Sequence, residues 1–172
     1  GIEYVEFQRA LLGLLRRGIL LAICSKNNPD DALQVIRQHP HMVLREEHFA
    51  AMRINWQNKA ENIREIAKEL NIGLDSLVFI DDNPNERELV RQLLPEVHTV
   101  DLPKDASLYR RTIEDLSDFE LLALTKEDET RVAQYQAQSK RQAAKSTSAS
   151  LDEYLHSLEI EIVIAPASRE AS

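Results

Sequence analysis

Leu77-Val78-Phe79-Ile80-Asp81-Asp82-Asn83-Pro84 decides how this chain folds. An apolar run stops abruptly at two carboxylates, and a proline follows Asn83. A short run without polar alternation reads as a strand buried on both faces, the habit of parallel sheets. Pro84 suits the first position of a helix, with Asn83 as its cap. A second stretch repeats the pattern. Ile19-Leu20-Leu21-Ala22-Ile23-Cys24 ends in Ser25-Lys26-Asn27-Asn28, and Pro29 opens a helix behind Asn28. Strands alternating with helices predict an α/β fold of three layers, a parallel sheet with helices on both faces. Ligands bind such sheets at the carboxyl ends of the strands. Ser25 and Asp81 are therefore expected at one edge of the sheet.

The remaining elements follow outward from these two strands. Tyr4 to Arg17 reads as an amphipathic helix with Val5, Leu11, Leu12 and Leu15 near one face, stopped by Gly18. Pro29 to about Gln38 is helical, and Pro40 ends it. Met42-Val43-Leu44 and Phe49 to Ile54 are ambiguous, with weak strand character near Met52 to Ile54. Asn58 to Leu70 carries Ala60, Ile63, Ile66, Ala67 and Leu70 on one stripe, and Gly73 closes it. Pro84 to Leu94 is a helix ended by Pro95, and Val97 to Leu102 is the last strand of the core. Past Pro103 the character changes. Leu108 to Leu116 and Lys126 to Lys145 read as helices, while Gln134 to Ser150 is rich in Gln, Ala, Ser and Lys, as a linker would be. Leu158 to Ile164 alternates like a strand with one wet face, through Glu159 and Glu161. It is expected to stay out of the central sheet and to open a further domain. The expected division is a core over residues 1–103, a helical extension and linker over 104–149, and the start of a truncated domain over 150–172. Gly1 stands where a helical pattern is already under way, so the chain reads as a fragment.

Composition narrows the class of function. The 172 residues are 43% hydrophobic and 29% charged, enough for a buried core. A net charge of −8 argues against a nucleic-acid partner, which needs clustered Lys and Arg. The single cysteine, Cys24, permits no internal disulfide and fits a cytoplasmic setting. No apolar run approaches the roughly 20 residues of a membrane span, and no membrane partner is expected. Four glycines, none grouped, exclude a dinucleotide fingerprint and a P-loop. His39, His41, His48, His98 and His156 show no metal-ligand spacing and read as surface residues.

The candidate chemistry lies at the strand ends. Adjacent carboxylates at Asp81 and Asp82 crowd negative charge, which a cation relieves. Magnesium suits one or two carboxylates completed by water and phosphate oxygens. Helix capping accounts for one acidic residue here, not for two. Ser25 offers a hydroxyl, and the Lys26 and Asn27 amides can face a phosphate. Each is also an ordinary turn residue. Lys59 opens a helix, where a cation opposes the dipole and asks for a negative partner. An exposed surface lysine is the plainer reading of that residue alone. Arg53, Asn55 and Trp56 are candidates for the substrate entrance, or else packing at the sheet edge with Trp56 half-buried. Cys24 adjoins Ser25, but a free cysteine is more often a small buried hydrophobe.

Taken in order, Ser25, Lys59 and Asp81-Asp82 are more specific than any one of them. A receiver domain uses similar parts with the acid pair first and the lysine last. The order here is that of the haloacid dehalogenase (HAD) superfamily of phosphotransferases. Leu21 to Asn27, Arg53 to Lys59 and Leu74 to Pro84 resemble the FkbH-like subfamily, HAD subfamily IIIC. The resemblance runs from about Tyr4 to Ile164. It implies a HAD-like, Rossmann-type sheet in which Ser25 holds the transferring phosphoryl group and Lys59 steadies it. It implies magnesium held or oriented by Asp81 and Asp82, and a phosphorylated small molecule as substrate. Members of this subfamily dephosphorylate 1,3-bisphosphoglycerate and load the glyceryl group onto an acyl carrier protein. The chain departs from the superfamily in one respect: no Asp-x-Asp occurs in it. The first strand and its nucleophile are expected upstream of Gly1. Two other functions stay open on the residues alone: a non-catalytic HAD-like module that docks a carrier protein, and a receiver-like signalling domain.

Overall fold

The computed structural model describes residues 1–119 and 162–166. Five helices and five strands are described. The helices are α1 (Ile2–Arg16), α2 (Pro29–Gln38), α3 (Lys59–Leu70), α4 (Pro84–Leu93) and α5 (Tyr109–Glu114). The strands are β1 (Ile19–Ser25), β2 (Phe49–Ile54), β3 (Val78–Ile80), β4 (His98–Thr99) and β5 (Ile162–Pro166). The sheet order is β2-β1-β5-β3-β4. β2 pairs with β1, and β4 with β3, both in parallel. The step from β1 to β2 runs one way across the sheet, and that from β2 to β3 runs back. Right-handed crossovers therefore put α2 and α3 on opposite faces. α3 packs on β1, β2 and α4, while α1 packs on β1 and α5.

Local sequence explains the boundaries. Every residue of β1 is buried, and so are Val78, Phe79 and Ile80 of β3. That is why both runs are apolar without alternation. In α3, Ala60, Ile63, Ile66, Ala67 and Leu70 all face the core. Asn58 caps its start, the side chain accepting from the Ala60 amide at 2.7 Å. The helix stops at Asn71, not at Gly73. Asn71 takes the left-handed conformation, φ 55°, which asparagine tolerates better than most residues. Gly18, φ 95°, turns the chain from α1 into β1, at a conformation that favours glycine.

Three expectations are corrected. The ambiguous stretch Phe49 to Ile54 is strand throughout, paired with Leu21 to Ser25 of β1. The expected strand from Val97 to Leu102 pairs only at His98–Thr99, because just two residues of β3 meet it. The largest difference concerns the C-terminal strand. Ile162–Pro166 lies in the middle of the sheet, antiparallel to both β1 and β3. The expected detachment rested on Glu159 and Glu161. Glu159 and Glu161 lie outside the described residues, and within the described strand Ile162-Val163-Ile164-Ala165 is an unbroken apolar run like β1 and β3. The sheet is accordingly mixed: parallel on either side of one antiparallel strand. The expected helix over Lys126 to Lys145, the linker before Ser150 and the residues from 150 to 161 lie outside the described residues.

Val163 pairs with Ala22 on one side and Phe79 on the other. A proline there removes an amide that a central strand uses. Val163→Pro should lower unfolding free energy by about 1–3 kcal/mol, the cost of leaving a buried group unpaired. Urea denaturation measures this, and an unchanged midpoint would show that β5 does not belong to the sheet.

Candidate active site

β1 and β3 bring their polar ends to one level. Ile23 and Ile80 both stand opposite Ile162. Ser25 and Asp82, each two residues further on, therefore emerge at the same edge. They are separated by two strand spacings, about 10 Å of backbone. The β2–α3 turn joins them, since the Asn55 amide donates to the Ser25 carbonyl at 3.0 Å.

Lys59 and Asp81 form the centre. Lys59 Nζ lies 2.5 Å from Asp81 Oδ2, with the lysine 1% and the aspartate 0% exposed. The surface-lysine reading is thus corrected. A cation at the start of α3 opposes the helix dipole, and Asp81 supplies the compensating charge. The other carboxylate oxygen, Oδ1, accepts the Asn83 amide at 2.9 Å. Arg87 Nη1 donates to the Asp81 carbonyl at 3.0 Å. Cys24 is buried as the plainer reading expected, its thiol 3.7 Å from the Lys59 carbonyl.

Asp82 stands apart from this pair. The residue as a whole is exposed, while its carboxyl is partly withdrawn from water. Burial first, and the Asp81 charge second, push that carboxyl above its ordinary range. Ser25 is fully buried, and its Oγ accepts from Asn27 Nδ2 at 2.9 Å. That leaves the hydroxyl proton of Ser25 as a donor. Lys26 is tied across the mouth to Glu86 on α4, at 3.1 Å. Asn55 and Asn62 exchange amide hydrogen bonds of 2.8 and 3.4 Å and shape the turn. Arg53 turns to the flank of α3, bridged to Glu65 at 3.2 Å and Glu69 at 2.7 Å. Trp56 is exposed, at 67%, and not half-buried. The structure thus gathers Ser25, Lys26, Asn27, Asn55, Trp56, Lys59, Asp81 and Asp82 at one edge and holds Arg53 on the outer flank.

Several residues at this edge carried no signal of their own. Glu86 reads in sequence as an acid favoured by the α4 dipole, and nothing links it to Lys26 sixty positions away. Arg87 looks like a solvated helix residue. Tyr109 is buried, and its phenol is pushed up by burial first, then by Tyr4 and Asp82. His39 is buried, which corrects the surface reading for that histidine; His41 and His98 are exposed. A concavity of about 440 Å³ lies between α1 and α5, lined by Glu6, Arg9, Gly13, Arg17 and Arg110 among others, and includes none of the residues gathered at the sheet edge. Among the described residues, no helix is long and apolar enough to cross a membrane.

The chain is similar to the crystallised N-terminal part of the protein BF1531 from Bacteroides fragilis, which contains a phosphatase domain and was solved in complex with Mg. The two are 45% identical with a TM-score of 0.67; the match covers 70% of this chain and 32% of that one. The chain thus spans about a third of that chain's length. No protein-family model matches the chain, and no curated protein does. The α/β architecture of parallel strands with flanking helices is shared with a phosphatase domain. This likeness supports the HAD superfamily and says nothing of the FkbH-like subfamily.

Two outcomes follow from the charges. Lys59→Met leaves the buried Asp81 carboxylate uncompensated and should cost about 3–5 kcal/mol in urea unfolding. Adding Asp81→Leu should recover part of that loss, and no recovery would show that the pair is not coupled. Asp82 acts with the opposite sign. Its carboxyl is raised in the folded state, so the unfolded chain releases that proton first as pH rises above the ordinary value of 3.8. Stability is lost over that rise and stays lost at neutral pH. Without divalent cations, Asp82→Asn should therefore melt higher than the parent at pH 7, with the advantage vanishing near pH 3. A pH series of melting temperatures checks both ends.

Proposed function

We propose that this chain is a magnesium-dependent phosphoryl-transfer domain of the HAD phosphatase type, acting on a phosphorylated small molecule. One observation carries the reading: a buried Lys59–Asp81 pair at the sheet edge, level with Ser25 and beside Asp82. Lys59 would hold positive charge toward a phosphoryl oxygen, where a low dielectric strengthens it. Ser25, its Oγ already accepting from Asn27, would donate its proton to another oxygen. The fold likeness to a domain solved with Mg supports the same chemistry.

The donor set fits magnesium. Among the described residues no cluster of three or more His, Cys, Asp or Glu exists, so the donors described at this edge are the two neighbouring carboxylates. Magnesium accepts such a site, completing its shell with water and phosphate oxygens. Asp82, crowded by Asp81, would hold the ion directly. Asp81, shared with Lys59 and the Asn83 amide, would orient it. Bound there, the ion would draw negative charge off the phosphoryl group.

The remaining candidates divide by position. Asn27 works behind Ser25, and Asn55 holds the turn. Lys26 and Trp56 stand at the rim. Arg53 would contact substrate only by leaving Glu65 and Glu69. The finer assignment is to the FkbH-like subfamily, with 1,3-bisphosphoglycerate as substrate and an acyl carrier protein as partner. Its support is the run of three motifs from Leu21 to Pro84.

The chain holds no Asp-x-Asp, and a covalent route needs an attacking carboxylate. It should therefore release no phosphate from acetyl phosphate above background in magnesium. It should still bind orthophosphate by calorimetry, only with magnesium present. Ser25→Ala and Lys59→Ala should weaken that binding, the second by at least about ten-fold. Orthophosphate binding that ignores magnesium and both substitutions would refute the phosphoryl-transfer reading. Robust turnover would instead assign the nucleophile to another residue of this chain.

A further inference from the structure

Trp56 is a large apolar side chain left 67% exposed, yet it is not loose. Its Nε1–H donates to Asn28 Oδ1 at 3.1 Å. Asn28 occupies the N-cap position of α2, where its side-chain oxygen would ordinarily accept a helix amide. Here it makes no cap hydrogen bond and holds the indole instead. Its Nδ2 bonds Asp31 Oδ2 at 3.3 Å, which fixes the amide from the other end. Trp56 also follows Asn55 directly, and the Asn55 amide is bonded to the Ser25 carbonyl. The ring is thus held through its Nε1–H, and its backbone follows the residue bonded to the strand terminus that carries Ser25.

Depth separates two parts of a ligand. Ser25, Lys59 and Asp81 are buried, and on the phosphoryl-transfer reading they would meet the charged group. Whatever that group is attached to must leave toward the rim, where Lys26 is engaged by Glu86 and the indole face is open. An indole offers an apolar, polarisable surface at low entropic cost, and a pinned ring loses less freedom when covered.

We propose that Trp56 is the platform for the organic group of the phosphorylated substrate, making the site selective for phosphates whose organic part is flat or apolar. This rests on the phosphoryl-transfer reading above and names a substrate class that competes with the 1,3-bisphosphoglycerate assignment, whose organic part is neither flat nor apolar. Trp56 acts here as a specificity residue and takes no part in bond making.

The chain's single tryptophan lets the site report on itself. The full chain, in magnesium, is titrated with phenylphosphonate and with methylphosphonate, which share the charged end and cannot be hydrolysed. Phenylphosphonate should shift Trp56 emission saturably and bind about ten-fold more tightly than methylphosphonate. By calorimetry, Trp56→Ala should bring the two affinities to parity, and Trp56→Phe should retain most of the preference. Equal affinity of the two phosphonates, or a preference that survives Trp56→Ala, overturns this proposal alone. If neither phosphonate binds and orthophosphate does not bind either, the phosphoryl site fails and the proposal falls with it.

Discussion

The buried contact between Lys59 and Asp81 is the constraint on which the rest of this edge depends. Two opposite charges withdrawn from water stabilise only when the geometry is good and their other hydrogen-bonding capacity is met. Asp81 meets that condition through the Asn83 amide, while Arg87 holds its backbone carbonyl. The consequence is positional. Lys59 is the first residue of α3 and Asp81 the first beyond β3, so the pair fixes the start of one element against the end of another. The preceding turn is then drawn in, and with it Asn55, whose amide reaches Ser25. Both halves of the site are placed by one ion pair and one backbone hydrogen bond.

How much of this was legible in the sequence depended on range. β1 and β3 were legible because burial on both faces leaves an apolar run with no alternation. α2 and α4 were legible because proline at the first helical position and asparagine before it are local signals. The order of Ser25, Lys59 and the acid pair was legible because each ends or begins an element. β5 was misread for a physical reason: nothing local says which lane a strand will take, and the described strand Ile162–Pro166 carries no wet face in its sequence. The Lys26–Glu86 bridge was hidden because it depends on two strands standing near one another. The exposure of Trp56 was hidden too, since an Asn-Pro pair advertises a cap, and only the folded chain shows Asn28 turned to the indole.

The mixed sheet bears directly on the chemistry. β1 and β3 are parallel to one another, yet they do not touch; an antiparallel strand separates them. Their ends therefore face each other across a lane about 10 Å wide. Burial on the lysine side and partial exposure at Asp82 grade this edge from dry to wet.

Binding and turnover are separable in such a site. A fixed cation and a serine proton would favour a phosphoryl group in the ground state as well as on the way to reaction, and the carboxylate pair would do so only through a bound cation. Only interactions that strengthen as the bond changes raise the rate. Asp81 has both oxygens engaged by Lys59 and the Asn83 amide, so attack through it would first break the pair that positions the edge. Burial and the Asp81 charge make the Asp82 carboxyl less acidic, so its anionic form, whether to hold an ion or to attack, is made less favourable until a cation stands beside it. The described residues therefore account well for holding and polarising a phosphoryl group. The residue that attacks phosphorus has to be one that does not already carry the site's own structure.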